Sequence, residues 1–294
     1  MMLINNGTHG ATISLAGKAM VLNRRMSWLG VFVALFLVGC SSSENFPLVK
    51  VKPNASTIEI GAIKEEEPSW LIGKSWDEEG NLNHPDIPAR TVISVKRVQS
   101  LHNKEPRYFI PASGVAQVVS IENYSDYGRT AALEEWRKLT RSSDQLGDAE
   151  QRMLYKTQLS EVPWMNAGRC FHAKLRKVRF PWGDAVLFLT TYVQGSTGGP
   201  VNNDMLVLVA QGLTKDGRYA VNAHFEIHHP QLPNSAEDER RQGLAFFPID
   251  EESEKAERWL DGQPDDAFSP TIGQYEQFLS SLEISKGKPI RPAE

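Results

Sequence analysis

Between about residues 169 and 228 the chain alternates short apolar runs with turn-forming segments. Residues 170–178, 185–193, 205–210 and 218–228 are rich in Val, Leu, Phe and Tyr, and they are separated by Pro181-Trp182-Gly183-Asp184, by residues 195–203 and by Thr214-Lys215-Asp216-Gly217. Links this short join antiparallel neighbours, because a parallel crossover needs about a dozen residues. The pattern therefore predicts a four-stranded meander. Upstream, Val92, Ser94 and Lys96 alternate with Ile93, Val95 and Arg97, which predicts a further strand over 91–98.

Elsewhere the apolar period changes from two to between three and four. Leu133, Trp136 and Leu139 are three apart, with Glu134 and Glu135 ahead of Arg137 and Lys138, so 129–139 reads as an amphipathic helix. A weaker helical pattern covers 148–159. After Pro230 the chain turns acidic and polar, and then 251–260 and 270–282 read as two more helices. Ser269 is placed to cap the last one and Pro270 suits its first turn, while Ile272, Tyr275, Leu279 and Leu282 form one stripe with Glu276 on the opposite side. Strands followed by helices, with no βαβ alternation, predict an α+β fold: an antiparallel sheet with helices packed on it.

The amino terminus carries a different message. Arg24 and Arg25 precede the eleven-residue run 28–38, which ends in Leu37-Val38-Gly39-Cys40. As a helix that run would span only about half of a bilayer's hydrocarbon core, which argues for a signal peptide and against a permanent span. Residues 1–39 are read as that signal, with Met20 a better-formed start than Met1. The small residue before Cys40 resembles a bacterial lipoprotein signal, which implies lipidation of Cys40 and cleavage before it. Ser41 follows in place of an Asp, and the same resemblance then favours the outer membrane, the protein facing the periplasm or the cell surface. Two or three acyl chains hold a protein on a membrane where one would exchange off.

Removing residues 1–39 takes away Lys18, Arg24 and Arg25 and no acid, leaving 29 basic against 36 acidic residues, a net charge of −7. A chain with that balance lacks the basic face a nucleic acid needs. Lys174, Arg176, Lys177 and Arg179 alternate along a strand and read as its solvated side. Residues 40–69 contain a Lys-Glu-Glu-Glu run and several turn formers and read as a lipidated flexible tether. The globular domain is then placed at 70–284, opening near Trp70 and Trp76, with 285–294 as a disordered tail.

Several phrases recur as a set: Asn166-Ala167-Gly168, Leu189-Thr190-Thr191-Tyr192-Val193-Gln194, Pro200-Val201-Asn202-Asn203, the hairpin from Gln211 to Tyr219, and His229-Pro230. Together with Asp266-Ala267-Phe268-Ser269-Pro270 they resemble an uncharacterised family of exported bacterial proteins over about 87–284. That resemblance implies export and carries no activity. The hairpin followed by a final helix also resembles the αβα sandwich of PsbP-like proteins, an analogy of fold alone.

Candidate chemistry is sparse. His224, Glu226 and His228 share one face of the last strand, where two imidazoles and a carboxylate suit zinc; the competing reading is an ordinary polar strand face. Cys170 and His172, two apart on a strand, share a face without bringing sulfur and imidazole into hydrogen-bond reach, so the thiol reads as a small core residue. Residues 195–199 are glycine-rich but lack the Lys and the following helix of a phosphate loop. Asp184, Asp204 and Asp216 sit in turns. The aromatic-rich sheet leaves room for a ligand groove bordered by Tyr192, Asn202, Asn203 and His229. The sequence thus favours a membrane-anchored binding module for an envelope protein or small ligand, with no cofactor. A metal-dependent hydrolase on the His224/Glu226/His228 face is the alternative.

Overall fold

The computed structural model describes residues 46–53, 56–66, 90–96, 114–122, 130–141, 162, 167–193, 201–235, 237–238 and 249–287. The meander is present. Strands β6 (Ala173–Arg179), β7 (Gly183–Thr190), β9 (Val207–Thr214) and β10 (Tyr219–Glu226) pair antiparallel in succession. They form more than half of a seven-stranded sheet of order β2-β3-β4-β10-β9-β7-β6, to which β2 (Ile60–Glu66), β3 (Arg90–Val95) and β4 (Val115–Ser120) add the other side. Two short strands, β5 (Gly168–Arg169) and β8 (Tyr192–Val193), pair beyond the ends of β6 and β7. At the β7–β9 pairing the backbones approach closely, and a Cβ on Gly212 would lie 2.3 Å from the Asp184 carbonyl oxygen.

Because strand side chains alternate, the sheet has two buried faces. On one, Val221, Ala223 and Phe225 of β10 join Leu208, Ala210 and Leu187 beneath Leu260, Phe268, Ile272, Tyr275, Phe278 and Leu279. The cover there consists of α2 (Ile249–Gly262), a 3-10 turn (Asp265–Ala267) and α3 (Ile272–Ser280). On the other face, Val186, Phe188, Val207, Val209 and Ala220 lie beneath Leu133, Trp136 and Leu139 of α1 (Thr130–Arg141). Helices cover both faces of an antiparallel sheet, so the fold is α+β.

The structure corrects the boundaries drawn from the sequence. The segment read as a tether supplies β1 (Pro47–Val51) as well as β2, and the segment read as a tail supplies the end of β11 (Leu282–Lys286). β1 pairs antiparallel with β11 as a two-stranded ribbon, Pro47 opposite Lys286 and Val51 opposite Leu282. The folded domain therefore includes Phe46, which is buried. The last helix is capped by Thr271, not Ser269. Its hydroxyl accepts from Gln274 N and the Gln274 side chain accepts from Thr271 N, a reciprocal box that leaves Pro270 outside the helix. Its buried stripe is Ile272, Tyr275, Phe278 and Leu279, while Leu282 opens β11. Trp70, Trp76, the helical pattern at 148–159 and the whole signal through Cys40 lie outside the described residues. No described helix is long and apolar enough to cross a membrane.

The basic residues of β6 are not simply solvated. Arg176 donates to Glu276 of α3 at 2.6 Å and meets Asp265 at 2.9 Å, and Lys174 reaches the Gln263 carbonyl and, at 3.4 Å, Asp265. They fasten the helical layer to the edge of the sheet.

Candidate functional site

β10 is the strand that concentrates polar chemistry. Its alternation places Val221, Ala223, Phe225 and Ile227 under α3, and turns Asn222, His224, Glu226 and His228 toward the α1 side. Asn222 and His224 are buried, and the Glu226 and His228 side chains are each 19% exposed. Burying such groups in the middle of a sheet is costly unless they are hydrogen-bonded. Across the sheet Asn222 pairs with Gln117 on β4 and with Gln211 on β9, so three amides lie in one row. With its amide oxygen turned to α1, Gln211 accepts from Trp136 Nε1 at 3.2 Å and from Val162 N at 2.7 Å.

One row further along, His224 lies opposite Val209, which lies opposite Phe188. The His224 Nε2 is 3.2 Å from the Tyr192 hydroxyl, and the rings meet edge-on with centroids 5.6 Å apart. Tyr192 arrives there because β8 pairs with β5, setting it opposite Arg169. The Arg169 guanidinium sits 5.6 Å above the Phe188 ring, and the His172 ring lies 5.0 Å from the same ring. Phe188 is thus an apolar floor with a cation and an imidazole against it, next to the Tyr192–His224 pair's own strand row. Beyond His224, His228 Nε2 pairs with Glu226 Oε1 at 3.1 Å.

This arrangement regroups the residues singled out in the sequence. His224, Glu226 and His228 share a face as expected, but their side chains do not converge. His224 turns to Tyr192, and His228 turns to Glu226. Among the described residues no group of three His, Cys, Asp or Glu side chains is placed to hold a metal ion. Tyr192 belongs with the polar stripe of β10, whereas Asn202, Asn203 and His229 do not join it.

Asn203 and His229 serve each other instead. Asn203 Oδ1 accepts from His229 N at 2.8 Å, and its Nδ2 donates to the carbonyls of His229 at 3.1 Å and Leu232 at 3.2 Å. The amide is consumed in fixing the chain as it leaves β10, so the expectation that Asn202 and Asn203 form an open rim is corrected: both are buried. The His229 ring packs edge-on against Trp259 and Phe268, at 4.8 and 5.1 Å. Burial holds its pKa below the ordinary histidine value against the opposing Gln263 hydrogen bond. Asn202 has a buried side-chain amide with no hydrogen-bond partner among the described residues.

Cys170 is a free thiol, partly buried against the α3-side core, as its small apolar character predicts. Sequence reasoning missed Asn222 and Arg169. The first was accessible, since the period-two pattern of β10 extends one step back from His224. The second was not, because the stacking of Arg169 on Phe188 depends on a contact between distant segments.

Compared with known proteins, the chain matches no family model, no curated protein and no solved structure.

Proposed function

We propose that the chain is a bacterial lipoprotein, held in the outer membrane through lipidated Cys40, whose α+β domain binds a small polar ligand or an envelope protein without performing a reaction. The observation that carries the binding reading is the polar stripe along β10 and just past its end, Asn222 and His224 buried and Glu226 and His228 half-buried, met by the Tyr192 hydroxyl. A central strand gains stability from apolar residues on both faces. Three polar ones on one face of β10, followed by His228 just past its end, are retained at a cost, which supports recognition chemistry. The stripe offers imidazole, carboxylate, amide and phenol groups in neighbouring rows, a set suited to a ligand with both donors and acceptors. The pairing of His224 with Tyr192 and of His228 with Glu226 speaks for this reading over the metal-dependent hydrolase, which would need those side chains in one donor set. Helices on both faces of the sheet also support the PsbP-like sandwich as the finer description of the fold.

Native mass spectrometry of protein purified from envelopes tests the proposal. A co-purified small molecule or partner, lost in Tyr192→Phe and His224→Ala variants that still fold, is the expected result. Near-stoichiometric zinc that disappears with His224→Ala would replace this reading with the hydrolase.

A further inference from the structure

Because β1 and the buried Phe46 belong to the folded domain, which the sequence placed from about Trp70, the chain between the lipid and the domain is shorter than a tether of 40–69. Only residues 41–45 separate Cys40 from Phe46. Six residue steps extend at most about 22 Å, which is close to the radius of gyration, about 18 Å, of a unit of some 250 residues. The attachment point is also fixed in the fold. Phe46 is 4% exposed, Pro47 pairs with Lys286, and the Pro47 carbonyl accepts from the Thr91 hydroxyl at 2.6 Å.

The ribbon at that point has a distinct outer surface. β1 and β11 bury Val49 and Leu282 against the α3-side core and turn Leu48 and Lys50 outward, with Leu48 41% exposed, one of the two large exposed apolar side chains among the described residues. Lys52 follows at the end of β1 on the same side and pairs with Glu283 at 3.5 Å, while Lys286, opposite the buried Pro47, belongs to the other side of the ribbon. Two lysines against the single carboxylate of Glu283 leave this outer face net positive in a mature chain whose net charge is negative. An exposed leucine among lysines, on a short leash from an acylated residue, is complementary to a layer of lipid phosphates over hydrocarbon.

We propose that the outer face of the β1–β11 ribbon, Leu48 with Lys50 and Lys52, rests on the phospholipid headgroup layer once Cys40 carries its acyl chains. The inference rests on the lipoprotein reading above. It also sets an orientation: the ribbon packs on the α3 side of the sheet, so the polar stripe of β10, on the α1 side, faces away from the lipid.

The test uses the full chain, lipidated in cells and reconstituted into vesicles of phosphatidylethanolamine and phosphatidylglycerol. In a Cys170→Ala background, a nitroxide is placed at Leu48→Cys or, on the exposed surface of α1, at Lys138→Cys, and relaxation by a nickel-chelating headgroup lipid is read by electron paramagnetic resonance. Several-fold faster relaxation at position 48 than at 138, reduced when Lys50→Glu and Lys52→Glu are combined, is the expected result. Equal relaxation at the two positions in a chain whose intact mass shows acylated Cys40 overturns the docking alone. An unmodified Cys40 overturns the docking and the lipoprotein reading together.

Discussion

The backbone N–H of Lys174 donates to the Asp261 carboxylate at 2.6 Å. Lys174 lies on β6, an edge of the seven-stranded sheet, at a register irregularity where its φ is +58°. One turn earlier on α2, Glu257 Oε2 lies 3.5 Å from the N–H of His172. Two carboxylates four apart on a helix thus face two N–H groups two apart where the chain enters β6, the spacings matching to within about an ångström. The helix takes the place of a neighbouring strand and covers an edge that would otherwise invite pairing with another chain.

Asp261→Ala leaves the Lys174 N–H uncovered and is expected to cost on the order of 1 to 2 kcal/mol, because the bond is charge-assisted. Asp261→Asn keeps an acceptor and should recover part of that loss. Urea unfolding of the three proteins checks it. Equal stability of all three would show that the edge is held by Lys174 and Arg176 alone.

Glu257 gives a pH dependence of definite sign. Burial, with Asp261 adding repulsion, raises its carboxyl from 4.5 to about 7 against the opposing effects of the His172 N–H and Arg258. The folded state therefore holds a proton on Glu257 that the unfolded chain releases from about pH 4.5 upward. Its contribution to stability is fully present below pH 4.5 and is lost as the pH rises through about 7. Glu257→Gln should remove that slope. The variant is expected to exceed the parent at pH 8 by on the order of 1 kcal/mol, after discounting for partial exposure, and to match it near pH 4. Denaturant melts across that range decide it; a constant difference at every pH would contradict the assignment.

Asn202 and Asn203 are neighbours with opposite expectations. Asn203→Ala removes the acceptor of His229 N and the donor to two carbonyls, and should cost about 2 to 3 kcal/mol by leaving buried backbone groups unpaired. Asn202→Ala removes an amide that has no partner among the described residues, so its desolvation penalty disappears with it, and the net change should stay within about 1 kcal/mol. Thermal melts that rank the two the other way would mean that Asn202 is the anchor.

The sequence was most readable where one strand's alternation met a short turn. β7, β9 and β10 are buried almost throughout, and tight links join β6 to β7 and β9 to β10, so period and spacing located them. β1 and β2 were hidden for a physical reason. The partner of β1 is β11, at the far end of the chain, and nothing within Pro-Leu-Val-Lys-Val reveals a distant partner. β2 is an edge strand whose Lys64 and Glu65 are exposed, so charge there reflected an edge and not a loop. The site divided in the same way. The polar face of β10 followed from alternation, but whether its imidazoles met a metal, a carboxylate or a phenol depended on where β8 delivered Tyr192.

The carboxy-terminal helix brings one expectation through and changes another. Leu279 is fully buried and its carbonyl accepts from Trp182 Nε1 at 2.8 Å, while Tyr275 stacks on Phe225 with centroids 4.4 Å apart and donates its hydroxyl to the Glu226 carbonyl. Leu279→Asp would set a charge against that core and should cost about 4 kcal/mol or more, enough to unfold a domain of ordinary stability. Glu276, by contrast, does not lie on an idle solvent face. Its carboxylate accepts from Arg176 at 2.6 and 3.1 Å, with the two side chains 29% and 31% exposed. A two-point, partly screened contact of this kind contributes roughly 1 kcal/mol, and Glu276→Ala should lose about that much. Because Arg176 also reaches Asp265 at 2.9 Å, the three residues act as a unit. A double-mutant cycle between Arg176→Ala and Glu276→Ala should therefore show a coupling of about 0.5 to 1 kcal/mol, smaller in high salt. Zero coupling at low salt would mean that α3 is held to β6 by its apolar stripe alone.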